Sequence, residues 1–468
     1  MRHRSEIGSG YTKADWSEYF PVLPETRRNS YASGCPSGVG ARRFKKASWK
    51  SGVMRPRKWC RRAFRRAGQT PDDISLNRRT IPRRTPTPEV TQLTSAKPRR
   101  FTVTTKRTLL IGGGALALAG AGATYAAVRG MGSIDDYEAS VGAMRAALAQ
   151  TPDIRELVRF AALAANSHNT QPWKFRASAN RIDIIPDFSR RTPAVDPDDH
   201  HLFVSLGCAA ENLALACRSR ERPGALQFDP SGDGAVVFAF GNGPAKESAL
   251  FDAIPRRQSS RTEYDAAPVS ASDLRALTAA AAVPGVDLIM VTDRARIDRI
   301  GELGIAGNSA QIADAAFVRE LRSWLRFSPR QAVETGDGLF SATTGNPTLP
   351  AWLGPHVFDW VFRAETENAK YARQIASTPA IAVFAGQKED RAHWVLCGQA
   401  CQRFALQATA LGLRHAFVNQ PVEVARLRPD LATLVGIPGR RPDLVMRFGH
   451  GPGLPYSARR PVESTLVS

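Results

Sequence analysis

Leu206-Gly207-Cys208-Ala209-Ala210-Glu211-Asn212-Leu213-Ala214-Leu215 returns 191 residues later as Cys397-Gly398-Gln399-Ala400-Cys401-Gln402-Arg403-Phe404-Ala405-Leu406. Both stretches place apolar residues at helical spacing, and each precedes a strand-like run that closes on the same signature. Ala235-Val236-Val237 leads to Phe240-Gly241-Asn242-Gly243-Pro244, and Leu444-Val445-Met446 leads to Phe448-Gly449-His450-Gly451-Pro452. Two F-G-x-G-P endings behind two similar helices predict a chain of two related halves, 131–250 and 251–468.

Periodicity around the repeat predicts an α+β class. Helices are expected over 153–165, 271–282, 309–327 and 393–411, and strands near 173–176, 181–185, 286–291 and 380–385, with Gly and Pro punctuating their ends. The stretch from about 300 to 376 has no counterpart in the first half. It carries Trp324, Phe327, Phe340, Trp352, Phe358, Trp360 and Phe362, a composition that suits either a lid over a site or ordinary packing.

The formal charge of +21 suggests a nucleic-acid binder, but its distribution argues otherwise. Residues 1–107 hold 26 Lys+Arg against 7 Asp+Glu, whereas the other 361 residues hold 38 against 36. The globular part is therefore nearly neutral, and no nucleic-acid partner is expected for it. The basic segment, rich in Arg, Pro, Ser and Thr, lacks apolar periodicity and is expected to be a disordered tail. A nucleic-acid tail and a mis-assigned start, at Met54 or later, are alternative readings. Between Thr108 and Val128 there is no charged residue, and Lys97, Arg99, Arg100, Lys106 and Arg107 precede that run. This is the layout of an export signal, twin-arginine in type if Arg99-Arg100 is its pair, or of one membrane anchor over 108–130. A buried Gly/Ala-rich helix is the alternative. The protein is thus expected to be exported to the periplasm or membrane-anchored, and cytoplasmic if that region is not a signal.

Six cysteines give no disulfide framework, and Cys397 and Cys401 lack supporting His or Cys ligands, so buried small hydrophobes are expected and no metal. His200-His201, after Asp198-Asp199, reads as a solvated helix start.

Two short segments carry the chemistry. Ser167-His168-Asn169-Thr170-Gln171-Pro172-Trp173 reads as a polar clamp for a planar heterocycle. Arg257-Gln258-Ser259-Ser260-Arg261 reads as a phosphate grip, two guanidiniums flanking hydroxyls at the start of a helix. A ligand with a ring at one end and a phosphate at the other would use both.

With the clamp, the grip and Pro455-Tyr456-Ser457-Ala458-Arg459-Arg460-Pro461 in hand, residues 150–468 resemble the nitroreductase superfamily of flavin enzymes. The resemblance is to its Acg-like branch, in which two units are fused in one chain. It implies a nitroreductase-like fold whose halves form an intramolecular pseudo-dimer, with FMN between them. It further implies that Asn166, Ser167, Asn169 and Gln171 serve the ring from the first half, Gln171 and Trp173 chiefly as loop supports. Arg257, Ser259 and Arg261 would hold the phosphate, with Arg459 or Arg460 as the late basic partner, and Asn419 and Gln420 would lie near flavin N5. The first half lacks an Arg-x-Ser-x-Arg and the second lacks an S-x-N-x-Q-P-W, so one flavin per chain is expected.

The implied function is an FMN-dependent oxidoreductase passing hydride from NAD(P)H, or another donor, to a small-molecule acceptor. Flavin carries that chemistry, so no catalytic side chain is required. A flavin-sequestering protein with little turnover is the alternative, and membrane association through 108–128 is a further expectation.

Overall fold

Small residues decide how close two helices come, and two glycines set the centre of this molecule. The computed structural model describes residues 129–467, so the expected basic tail and the 108–128 segment lie outside the described residues. The first half contains helices α1 (Ile134–Met144) and α2 (Ile154–Ala162), strands β1 (Trp173–Ser178) and β2 (Arg181–Pro186), the long helix α3 (His200–Arg218), and strands β3 (Gly224–Asp229) and β4 (Ala235–Phe240). The second half runs through α4 (Ala271–Ala280), β5 (Val286–Val291), α5 (Arg294–Ala313), α6 (Ala315–Ser323), β6 (Leu325–Arg326), α7 (Pro329–Thr335) and β7 (Leu339–Phe340). It continues with α8 (Gly354–Val361), α9 (Ala364–Ala376), β8 (Ala380–Gly386), α10 (Arg391–Ala410), β9 (Arg414–Phe417), α11 (Gln420–Glu423), β10 (Leu444–Gly449) and β11 (Leu466–Val467).

The two halves have one sheet topology. β1-β2-β4-β3 in the first sheet and β5-β8-β10-β9 in the second are both wholly antiparallel, with the long helix entering after the second strand of each half. Each F-G-x-G-P signature leaves the end of an inner strand, β4 or β10. The C-terminal strand β11 crosses over and adds to β1 in parallel, Phe175 facing Leu466. The last residues of the second half therefore complete the sheet of the first.

α3 and α10 pack face to face through reciprocal contacts. A Cβ on Gly207 would stand 2.0 Å from the carbonyl oxygen of Val395, and one on Gly398 would stand 2.0 Å from that of Val204. Adding 191 to Gly207 and Val204 returns Gly398 and Val395, the pairing a twofold axis would make. The polar contacts obey the same rule. Glu211 forms an ion pair with Arg403 at 2.8 Å, and the Gln402 amide donates to the Asn212 side chain at 2.8 Å. Every residue from His200 to Cys217 is buried, which is why α3 shows apolar and small residues all round rather than one stripe.

The insertion changes what covers the second sheet. On β8, Ala380, Ala382 and Phe384 enter the core shared with α10, while Ile381 and Val383 enter a second core with Ile297, Ile300 and Val435. Both faces are thus dry, and the strand reads as a continuous apolar run. β2 has one half-wet face and alternates. The helix expected over 309–327 is two helices. Asp314 ends α5 at φ −88° and ψ 111°, and its carboxylate accepts from Ala316 N to cap α6. Among the described residues no helix is long and apolar enough to cross a membrane.

Gly398→Ala must push two backbones apart, so it should cost about 3 kcal/mol or more and lower Tm markedly. Gly142→Ala, in α1 with nothing within 4 Å, should leave stability unchanged or raise it by about 0.5–1 kcal/mol, without lowering Tm. Equal effects from the two substitutions, measured by thermal unfolding, would contradict the tight helix seam.

Candidate functional site

A cavity of about 590 Å³ lies between the clamp loop of the first half, the start of α3, and the second half with its insertion. Asn166, Ser167 and His168 form part of its wall, as do Arg261, Asn419 and Gln420. The insertion supplies much of the apolar lining, including Phe317, Phe327, Leu349, Val357 and Phe358, so this segment walls the site as well as packing on the sheet.

The clamp loop is strained. His168, Asn169 and Gln171 have φ of 44°, 53° and 52°, a left-handed conformation that costs about 1 kcal/mol or more per residue. Side-chain bonds hold it there. Asn166 Oδ1 accepts from Gln171 N at 2.9 Å, and the Asn166 amide donates to Ala164 O at 3.2 Å, which stiffens the turn and leaves the Ser167 hydroxyl beside the cavity. The Asn169 amide donates to Gly338 O and Ala458 O, both at 3.1 Å, and Gln171 donates to Gly336 O at 2.9 Å.

The C-terminal Arg459-Arg460 pair completes this lock. Arg459 donates to Asn169 Oδ1 at 2.8 Å and to the carbonyls of Ala162, Leu163 and Ala164 at the end of α2. Arg460 donates from its backbone to Gln171 Oε1 at 2.9 Å and from its guanidinium to the carbonyls of Gln171 and Trp173. Arg257 joins the same helix end, donating to Leu163 O at 3.1 Å. Cations on the unpaired carbonyls of a helix C-terminus are favourable twice over, as donors and against the dipole. Burial nevertheless holds the Arg257, Arg459 and Arg460 guanidiniums below the ordinary arginine range, Arg460 at about 10.

Several expectations therefore change. Asn169, Gln171, Arg257, Arg459 and Arg460 are placed in the scaffold behind the cavity, bonded to backbone and to one another, rather than on the wall. The segment 257–261 does not open a helix. It runs extended along the edge of β9, with Ser259 bridged to His415 and Ser260 N donating to His415 O at 2.8 Å. Ser259 sits in that bridge rather than on the cavity wall. Its helix expectation fails because Arg257 is already extended, φ −66° and ψ 132°, and the next helix begins only at Ala271. His200 and His201 do start a helix, yet both are buried, at 0% and 5% exposure, with Asp443 and Trp394 of the second half packed against His200. Trp173 and the four described cysteines are buried, as small or flat core residues.

The wall carries two cations, Arg261 and Lys370, and two carboxylates, Glu367 and Glu423. Arg261 lines the cavity without a carboxylate partner among the described residues, held by Gln374, whose amide donates to Arg261 O at 2.8 Å. Lys370 of α9 stands beside the same cavity, its ammonium held below the usual range by burial, against the pull of Glu367 and with repulsion from Arg261 adding to it. His168 is kept neutral by burial and by Arg261, down to about 4. Tyr371, hydrogen-bonded to the Gln420 side chain, and Glu423, accepting from Gln311 at 2.6 Å, complete the polar part. Lys370, Tyr371 and Gln374 escaped sequence reading because they sit within about one turn of an insertion helix, outside any motif. His168 lay inside the quoted clamp and could have been found there.

If the arginine lock is structural, Arg459→Met should cost about 3 kcal/mol or more, because buried carbonyls lose their donors. Ser259→Ala should stay within about 0.5 kcal/mol of the parent. Denaturant midpoints measured side by side test this; an Arg459→Met protein as stable as Ser259→Ala would contradict the lock.

Residues 254–450 match the profile of the Nitroreductase family. The "Putative NAD(P)H nitroreductase Rv3131" of Mycobacterium tuberculosis is 26% identical over 324 residues, covering 67% of this chain and 90% of that protein. The "Putative NAD(P)H nitroreductase acg" of the same organism is 22% identical over 342 residues, 68% and 96% of the two chains. Among solved structures, a nitroreductase with bound FMN from Desulfitobacterium hafniense covers 48% of this chain and 99% of its own at 16% identity, with a TM-score of 0.32. Over residues 254–450 the chain matches the Nitroreductase family, and over about two thirds of its length it is similar to these mycobacterial nitroreductases.

Proposed function

We propose that this protein binds one FMN between its halves and works as an NAD(P)H-linked oxidoreductase that reduces a small acceptor. The observation that carries the reading is Arg261, a guanidinium on the wall of a 590 Å³ cavity with no carboxylate beside it, opposite a strained loop of amides and hydroxyls. A buried guanidinium that no carboxylate pairs favours an anionic ligand such as a phosphate. The cavity volume is that of a cofactor site. The two mycobacterial relatives carry NAD(P)H nitroreductase in their names, which agrees with a nicotinamide donor.

Bound flavin supplies hydride acceptance and donation at its N5. The residues of this chain would supply the rest. Arg261, with Lys370 nearby, would hold the phosphate by charge-assisted bonds. Ser167 and the rigid backbone at Asn166 would face the ring edge, and Asn419 and Gln420 would approach it from the second half. Asn419 is well held for that purpose, since its Oδ1 accepts from Val445 N at 2.9 Å. The apolar wall of the insertion excludes water from the ring. The same wall supports a second reading, a flavin-sequestering protein in which the insertion prevents turnover.

Anaerobic mixing of the FMN-loaded protein with NADPH or NADH separates the two. Bleaching of the flavin band within seconds is the expected result, and a band unchanged over an hour (roughly a thousand turnovers of a slow enzyme) would favour sequestration. Arg261→Ala should weaken FMN binding by about 10–100-fold, the worth of one charge-assisted contact, without lowering Tm of the flavin-free chain. Unchanged FMN affinity in Arg261→Ala would overturn the phosphate assignment.

A further inference from the structure

We propose that Asp196, His200 and His201 bind one divalent first-row transition ion at the start of α3. One donor atom from each lies within 4.8 Å of the other two, and all three residues are buried, with 4%, 0% and 5% exposure. The proposal does not depend on the flavin reading, since it rests on a different set of residues.

The arrangement behind the ligands is what marks them. His200 Nε2 sits 2.7 Å from Asp443 Oδ1, in a buried pair. Asp443 is itself fixed, its Oδ2 accepting from Gly386 N at 2.6 Å. A carboxylate on one imidazole nitrogen orients the ring and leaves the other nitrogen as a lone-pair donor, the usual second layer around a histidine-bound metal. His200 Nδ1 is that other nitrogen, and it is buried without a partner; so is His201 Nε2. Two buried, unpartnered imidazole nitrogens side by side, rings 4.7 Å apart, call for a shared electrophile.

Asp196 supplies the third ligand. Its oxygens accept from the backbone of His201 and Leu202, both at 3.0 Å, which pins the carboxylate against the helix start. Each carboxylate oxygen has a second lone pair to offer. Asp196 and Asp443 together bring two negative charges into a dry region, and a dication with two neutral imidazoles balances them. The nearby Arg441 is taken up by Asp198 and Glu389. Two imidazoles and one carboxylate suit zinc, iron or cobalt rather than calcium or magnesium, and three protein ligands leave a coordination position open. His201 also lines the large cavity.

Calorimetric titration of the chelator-stripped full chain with Co²⁺, with and without FMN, tests the site. One Co²⁺ per chain, displaced by Zn²⁺, is expected in both cases, and X-ray absorption of the loaded protein should show two imidazoles and oxygen, without sulfur. His201→Gln should weaken binding at least about 100-fold, and Asp443→Asn about 10–100-fold through the lost orientation of His200. No stoichiometric binding would overturn the proposal. So would a sulfur shell, or equal affinity in wild type and His201→Gln, the mark of an adventitious ion only. If His201→Gln fails to fold, the ligand count in the wild-type absorption spectrum decides.

Discussion

The structure depends on one constraint, the contact of two helices so close that neither Gly207 nor Gly398 has room for a Cβ. Helices that approach to this distance must present small residues, and α3 and α10 do so through Gly, Ala and Cys. The seam has the reciprocity of a symmetric dimer, although both partners belong to one chain. Its polar pairs, Glu211 with Arg403 and Asn212 with Gln402, are mates under the same operation. Register is therefore specified twice, by shape and by polar pairing.

The cavity follows from the seam. α3 begins at the cavity wall with His201, and the clamp loop descends onto it from the end of α2. The second half then reaches across three times. Arg257 and Arg459 close the end of α2, Arg460 holds Gln171, and β11 extends the first sheet. Left-handed residues at 168, 169 and 171 persist because these bonds over-determine the loop. Sequence motifs far apart in the chain are in this sense one structural unit.

The fold was legible where small residues and repetition carried it. The 191-residue offset predicted two halves, and the two sheets repeat one strand order. The break at Asp314 was not legible, because apolar residues keep their helical spacing across it while a single capping side chain interrupts the backbone. The site was half legible. Asn166, Ser167, Arg261, Asn419 and Gln420 do meet at one cavity, whereas the other six named residues are held in the scaffold behind it or, for Ser259, in a strand bridge. A motif records that residues act together; it does not say whether they face a ligand or one another. Arg257 and Arg261 look equivalent in sequence, and only the fold sends one to a helix end and the other to the cavity. The burial of His200 was hidden for a similar reason, since Asp443 and Trp394, which pack against it, come from more than a hundred residues away.

The asymmetry of the two halves is the central claim, because a repeated scaffold carries unrepeated site residues. Its most direct test is the flavin stoichiometry of the full chain after reconstitution with excess FMN and removal of the unbound cofactor. One FMN per chain is expected. Two per chain would contradict the single composite site, and a protein that retains none would contradict the flavin reading itself.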